Sequence, residues 1–462
     1  MSAAVNLKPV MAAIAVAVMA GCSMIPKYER PAAPVAADFP YGSSATGTAA
    51  ADLQWQAFFA DARLRDLIAA ALANNRDLRV AILNIEQTRA QYDIRRADRF
   101  PTLGLAATAA RAPNSSGGTT TTYTVGLGIT SWEIDFFGRI GALSEAALAQ
   151  YLATEEGRKA AQITLISTVA NTWLSLVADE ELLELTRQTL ATREESLRLT
   201  RLRFENGAAS ELDSRQAQSL FESARVAFAQ LQRQRALDIN ALTLLVGQPL
   251  PANPAVAAGT ATISLPDLPA GMPSDVLVRR PDVKQAEQQL IAANANIGAA
   301  RAAFFPRISL TAALGTASTQ LSGLFNNGHW AFTAAPGITL PIFDAGRNAA
   351  GLRSANVARD IAVAQYEKSI QSAFREVADA LAGRATFVEQ LRAQQAVVEA
   401  ETVRYNLSKL RYDNGVSSYL DLLDAQRSLF TAQQTLIQTR LLQLQNQVLL
   451  YRALGGGWTE SS

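Results

Sequence analysis

The chain has 462 residues, 49% of them hydrophobic, and a mean hydropathy of +0.05, which suits a packed structure of roughly two or three domains and argues against disorder. Lys and Arg number 42 against 41 Asp and Glu, so no bulk field recruits nucleic acid or an acidic polymer. One cysteine, Cys22, and one histidine, His329, exclude an intrachain disulfide, a Cys/His metal cluster and Cys/His catalysis, and neither common glycine-rich phosphate cradle is present.

At the N-terminus, Lys8 precedes an apolar run from Val10 to Ala20. The run is too short to cross a bilayer as a helix and has the length of a secretory signal's apolar region. It ends in Met19, Ala20, Gly21 and Cys22, a lipobox-like sequence with Met where Leu is more usual. Residues 1–21 are therefore expected to be a signal peptide removed ahead of Cys22, whose thiol would carry diacylglycerol and whose amine an N-acyl chain. That lipid is the one non-protein group expected, and Ser23, rather than Asp, after the cysteine points to the outer membrane by the familiar sorting rule. Residues 22–60, rich in Pro, Ala, Gly and Ser up to 51, read as an extended tether.

Asp77 to Arg99 has helical composition and stops at Phe100-Pro101, where proline forbids continuation. Two runs follow, Thr102–Arg111 and Thr122–Glu133, separated by "PNSSGGTTT"; they predict a β-hairpin over 102–133. Strands of about ten residues fit a tilted membrane-crossing strand. From Ala142 to Phe204 no proline intervenes, which allows one helix of roughly 90 Å. Val169, Leu176, Leu183, Leu190, Leu197 and Phe204 recur every seventh residue along it, the signature of a left-handed coiled coil. A turn at Gly207 and a second helix complete a unit over 61–247, and a Pro-rich linker covers 248–273.

The unit is then written again. "LRFENGAASELD" from Leu202 matches "LRYDNGVSSYLD" from Leu410, and Gly207 and Gly415 stand 208 residues apart. "RFPTLGL" from Arg99 matches "FFPRISL" from Phe304, and "GITSWEIDFFGR" from Gly128 matches "GITLPIFDAGR" from Gly337. The second unit, 274–455, repeats the helix, a hairpin over 307–342 with strands Arg307–Thr316 and Trp330–Leu340, a long helix, a tip at Gly415 and a last helix; 456–462 is a tail. His329 falls between those strands in "LFNNGHW", a loop-like place that argues against catalysis there. The last helix carries two adjacent seams: Leu423, Phe430, Ile437, Leu444 and Tyr451, and beside it Leu422, Leu429, Leu436 and Leu450, broken only by Gln443. Two seams suggest neighbours on both sides, as in a closed cylinder. Repeated glutamines on its other faces, Gln426 and Gln433 among them, suit either a hydrated wall or an ordinary solvated surface. The fold class is mixed, β-hairpins continuous with very long helices, and four strands cannot close a membrane barrel, which takes about eight or more, so association of several chains is required.

The sequence resembles the TolC family of outer-membrane channels and, within it, the OprM-like lipoprotein branch of multidrug efflux channels. The resemblance covers nearly the whole mature chain and is carried most specifically by "DARLRDLIAAALANN" from Asp61, "GVSSYLDLLDAQRSLFTAQQ" from Gly415 and "YRALGGGW" from Tyr451. It implies a homotrimer in which each chain gives four strands to one twelve-stranded outer-membrane β-barrel and its helices to a periplasmic α-helical barrel. It implies a passive, non-enzymatic exit duct for drugs and other small molecules that serves an inner-membrane RND-type pump through a periplasmic adaptor. By the same resemblance Gly207 and Gly415 mark the adaptor-docking tips. Leu420 would form an apolar constriction and Asp424 an acidic ring one turn deeper, with Asp421 an additional acid. Arg411 and Tyr412 would bond neighbouring helices in the closed state; Asp413 stands where relatives can carry a base. The residues alone also allow Asp421 to be a helix N-terminal acid and Arg411 a surface pair. Alternatives of the same fold are the exit channel of a type I protein-secretion or a metal-efflux system, and of another class a periplasmic coiled-coil scaffold lipoprotein. The lack of Met-rich or His-rich tracts speaks against a copper or silver path.

Overall fold

The computed structural model describes residues 23–41, 50–113, 115, 117–250, 259–269, 273–326 and 329–458. Cys22 and the signal-like run before it lie outside the described residues.

The helices, in chain order, are α1 (Trp55–Phe58), α2 (Ala62–Asn74), α3 (Arg76–Ala97), α4 (Arg139–Glu205), α5 (Glu211–Val246), α6 (Pro273–Arg279), α7 (Pro281–Ala302), α8 (Arg347–Asp413) and α9 (Tyr419–Ala453). The strands are β1 (Leu103–Pro113), β2 (Thr119–Ile134), β3 (Arg307–Ser318) and β4 (His329–Thr339). The duplication is metrical as well as textual: α4 and α8 have 67 residues each, α3 and α7 22 each, α5 and α9 36 and 35. Both long helices begin alike. Asp135 accepts the backbone N–H groups of Ile140 and Gly141 at 3.0 and 2.6 Å, and Asp344 accepts those of Gly346 and Asn348, each at 2.9 Å. A carboxylate placed there satisfies N–H donors that the first turn leaves unpaired and meets the positive end of the helix dipole.

The chain divides into two compact units. The first comprises residues up to 32, 83–155 and 285–368. Its sheet has the order β1-β2-β3-β4, antiparallel throughout. Thr119, Thr120 and Thr121 already belong to β2 and Ala317 and Ser318 to β3, so the strands run further into the turn sequences than their composition suggests. His329 opens β4 instead of lying in a loop. Residues 23–30, expected as a free tether, lie packed along α7. Ile25 sits where a Cβ on Gly298 would fall, 2.5 Å from its Cγ1; Asn294 donates to the Pro26 carbonyl at 2.8 Å; Arg30 forms a two-pronged pair with Glu287 at 2.7 and 2.9 Å.

The second unit comprises 33–82, 156–284 and 369–462. Its core gathers Phe58, Phe59, Ile68, Val169, Trp173, Leu176, Leu242, Leu381 and Tyr451, all but inaccessible to solvent. The rest of the supposed tether thus contributes core: Phe39 stacks on Phe374 with ring centroids 4.9 Å apart, and Phe58 on Tyr451 at 4.1 Å. Aromatic side chains bury more apolar area than Pro/Ala-rich flanks suggest, and that burial overrides local composition. The 248–273 linker is likewise packed where it is described. Thr260 donates through its N–H and hydroxyl to Glu181 at 2.8 and 2.7 Å, and Leu268 is buried. The expected tail is packed where it is described: the Trp458 ring lies under the Lys159 and Lys284 ammonium groups at 5.1 and 6.0 Å.

Candidate functional site

Register gives the four-stranded sheet two different faces. Leu103 and Leu105 oppose Ile129 and Leu127; Leu127 opposes Leu314, Leu314 opposes Phe332, and Thr316 opposes Trp330. Residues directly opposite share a face. One face therefore carries Leu, Ile, Phe and Trp, and Leu105, Trp330, Phe332 and Ile338 are each about 70% exposed in the single chain. The other face carries Thr108, Thr124, Gly126, Gly128, Ser309 and Thr333, with a Thr108–Thr124 hydroxyl hydrogen bond of 2.5 Å. A bulge between Ile129 and Trp132, with Ser131 at φ +51°, restores Trp132 and Ile134 to the apolar side. β1 and β4 each keep one unpaired edge among the described residues.

The C-terminal ends of α4 and α8, with the turns and helix starts that follow them, carry the expected tip and gate residues. Gly207 and Gly415 adopt φ +71° and +72°, and a Cβ at either would meet nothing within 4 Å. Backbone conformation, not room, requires glycine there. Each closes the same reversal. Gly207 N–H donates to Phe204 O and Ala208 N–H to Arg203 O; Gly415 N–H donates to Tyr412 O and Val416 N–H to Arg411 O, at 2.7–3.0 Å. A capping box then opens the next helix, Ser210 with Asp213 and Ser418 with Asp421. Asp421 accordingly occupies its helix-terminal alternative: its carboxylate accepts the Ser418 N–H at 3.2 Å.

Leu420 is 54% exposed while Leu422 and Leu423 beside it are buried, so Leu420 faces away from its own chain's core. Asp424, one turn deeper, is not a bare acid. Arg404 of α8 donates to it at 2.6 Å and Arg427 of α9 at 3.1 Å, and these guanidiniums hold its carboxyl below the usual carboxylate range. Tyr412 receives a hydrogen bond from Arg203 at 2.8 Å and packs against Tyr419, whose hydroxyl lies 2.8 Å from Ser196 Oγ. Arg411 makes no ion pair with any described residue, and Asp413 pairs with Lys409 at 2.7 Å. The structure thus joins Tyr412 to α4 through Arg203 and Tyr419, and Asp424 to two arginines; Leu420, Arg411 and Asp421 it leaves apart. Arg203, Tyr419, Arg404 and Arg427 escaped the sequence reading. Only Arg427, three residues after Asp424 on one helix face, left a local signal.

Comparison with known proteins places this geometry. The family described as outer membrane efflux protein matches residues 67–248 and 272–456. The toluene efflux pump outer membrane protein TtgC of Pseudomonas putida is 47% identical over 462 residues, spanning 97% of this chain and 96% of the relative. Outer membrane protein OprJ of Pseudomonas aeruginosa is 46% identical over 455 residues, spanning 96% and 94%. The open state of the Neisseria gonorrhoeae MtrE outer membrane channel superposes with a TM-score of 0.87 at 41% identity, over 95% of this chain and 99% of that one.

Proposed function

The chain belongs to the outer membrane efflux protein family, and on that premise we propose that three copies assemble into one passive duct for drugs and other small molecules across the outer membrane and periplasm. The observation that carries the reading is the sheet: an apolar face and a small, polar face on strands of 11–16 residues, with both outer edges open. Exposed apolar side chains on a sheet with no covering layer fit hydrocarbon, and Thr and Gly fit a hydrated lumen. Unpaired edges in lipid are too costly to persist, so β1 of one copy would pair with β4 of the next.

In this reading the helices of the second unit form the periplasmic conduit, an adaptor protein docks at the Gly207 and Gly415 tips, and an inner-membrane pump of RND type supplies the energy. Leu420 and Asp424 line the constriction, and Arg411, without an ion pair among the described residues, is available to a neighbouring copy. A lipid on Cys22 anchors the mature N-terminus, and the chain performs no chemical step. Support for an anchor near the barrel comes from the packing of 23–30 along α7, which carries the chain towards Arg301, a few residues ahead of β3. Native mass spectrometry of detergent-extracted protein tests the assembly: three chains per particle are expected, and a monomer that still conducts would contradict it.

A further inference from the structure

Arg193 of α4 is 6% exposed, yet among the described residues it forms no ion pair with a carboxylate. Its Nη1 donates to the Leu220 carbonyl at 3.1 Å, its guanidinium lies over the Phe430 ring at 5.2 Å, and its Nε has no acceptor among the described residues. Burial, and then the nearby cation Arg427, push the Arg193 pKa down. Asp424 is shared by Arg404 and Arg427, and Glu195 is held by Arg198. Beside the guanidinium opens a hollow of about 160 Å³, whose polar side is Gln188, Thr189 and Thr192 of α4, Tyr405 of α8 and Gln426 and Gln433 of α9, and whose apolar side is Leu185, Leu429 and Phe430. All lie in the second unit. Its polar lining is of amides and hydroxyls, without a single acid.

Burying a guanidinium without a counter-charge is costly, and water can hydrogen-bond it but not neutralise it. Amide N–H groups and a cation around a space larger than one water make an anion site in composition and size. We propose that this hollow binds a small inorganic anion of the halide class, held by the Arg193 guanidinium and by the side-chain amides of Gln426 and Gln433, and that the bound ion ties α4 to α9. It also relieves the repulsion between Arg193 and Arg427, the arginine that holds Asp424. The inference concerns packing and charge and is independent of whether the chain conducts.

The test is thermal unfolding of the purified full chain in sodium chloride against sodium gluconate at equal ionic strength, with crystals soaked in bromide. A saturable rise in midpoint of about 2 °C or more by 100 mM chloride is expected, lost in Arg193→Met, with one anomalous bromide peak per chain in reach of the guanidinium. Equal midpoints in the two salts would overturn the proposal. So would a chloride effect that survives in Arg193→Met, ordered water alone in the hollow, or a carboxylate of a neighbouring chain seated on Arg193. Should Arg193→Met fail to fold, the salt comparison and the bromide map on the parent protein decide.

Discussion

Asp424 and Gly415 show how single side chains set the behaviour of the tip. Threefold repetition of a bare acid would make a site that answers to protons and cations, but Asp424 meets two arginines of its own chain. Its carboxyl pKa is depressed, so the stabilisation is present above the unfolded carboxylate value and lost as pH falls through the lower, folded one. Channel conductance should therefore be flat from pH 5 to 8 as far as this group is concerned, and Asp424→Asn should shift its level and not its pH slope. A slope over that range in the parent that Asp424→Asn abolishes would mean the arginines do not hold the acid. Gly415→Ala forces a Cβ into the left-handed region at a cost of about 1 kcal/mol. Hydrogen exchange at the Asn414 and Val416 amides, which close the reversal onto Leu410 and Arg411, should quicken about fivefold; unchanged protection would refute the account of the turn.

Between elements, the contact of α4 with α5 contains a second charge arrangement. Asp238 is buried, accepts from Gln234 at 3.1 Å through Oδ1, and has no partner for Oδ2 among the described residues except the facing carboxyl of Asp179. Burial, and then Asp238, push the Asp179 carboxyl up to about 7, with Glu180 adding to the repulsion while itself paired with Arg235. A raised pKa means that the stabilisation is complete below the unfolded value, about 4, and lost as pH rises through about 7. The unfolding midpoint should fall by about 2 °C or more between pH 5.5 and 8.5, and Asp179→Asn should flatten that slope; a slope unaltered in the variant would dismiss the shared proton.

The long helices were legible because seven-residue seams and the lack of proline act along the whole length. Ala142–Phe204 was expected and Arg139–Glu205 is observed. Along that seam Val169 and Leu176 are fully buried, whereas Phe204 at the tip is 41% exposed. What pattern could not reveal is long-range. Arg404 reaches Asp424 from another helix, and Phe39, Trp55 and Phe58 join the core from a segment whose composition reads as tether. A periodic signal lives on one element, while such contacts depend on where the chain returns.

At the scale of the whole molecule, the two-faced sheet and the edges of β1 and β4, unpaired among the described residues, call for partners, and the family supplies the setting of an outer-membrane efflux channel. The anchor is separable in this account. Cys22→Ser should abolish the lipid mass on the mature chain yet leave a protein with the parent's unfolding midpoint; retention of Met1 in the parent's mass would remove the lipid claim. The central claim, that copies of this chain close a water-filled duct narrowed at Leu420 and Asp424, is tested most directly by single-channel recording in planar bilayers. Discrete, uniform conductance steps are predicted for the parent, with larger steps when Leu420 and Asp424 are both replaced by Ala. Folded protein that inserts and gives no steps, or a double variant that conducts like the parent, would contradict the duct or its gate respectively.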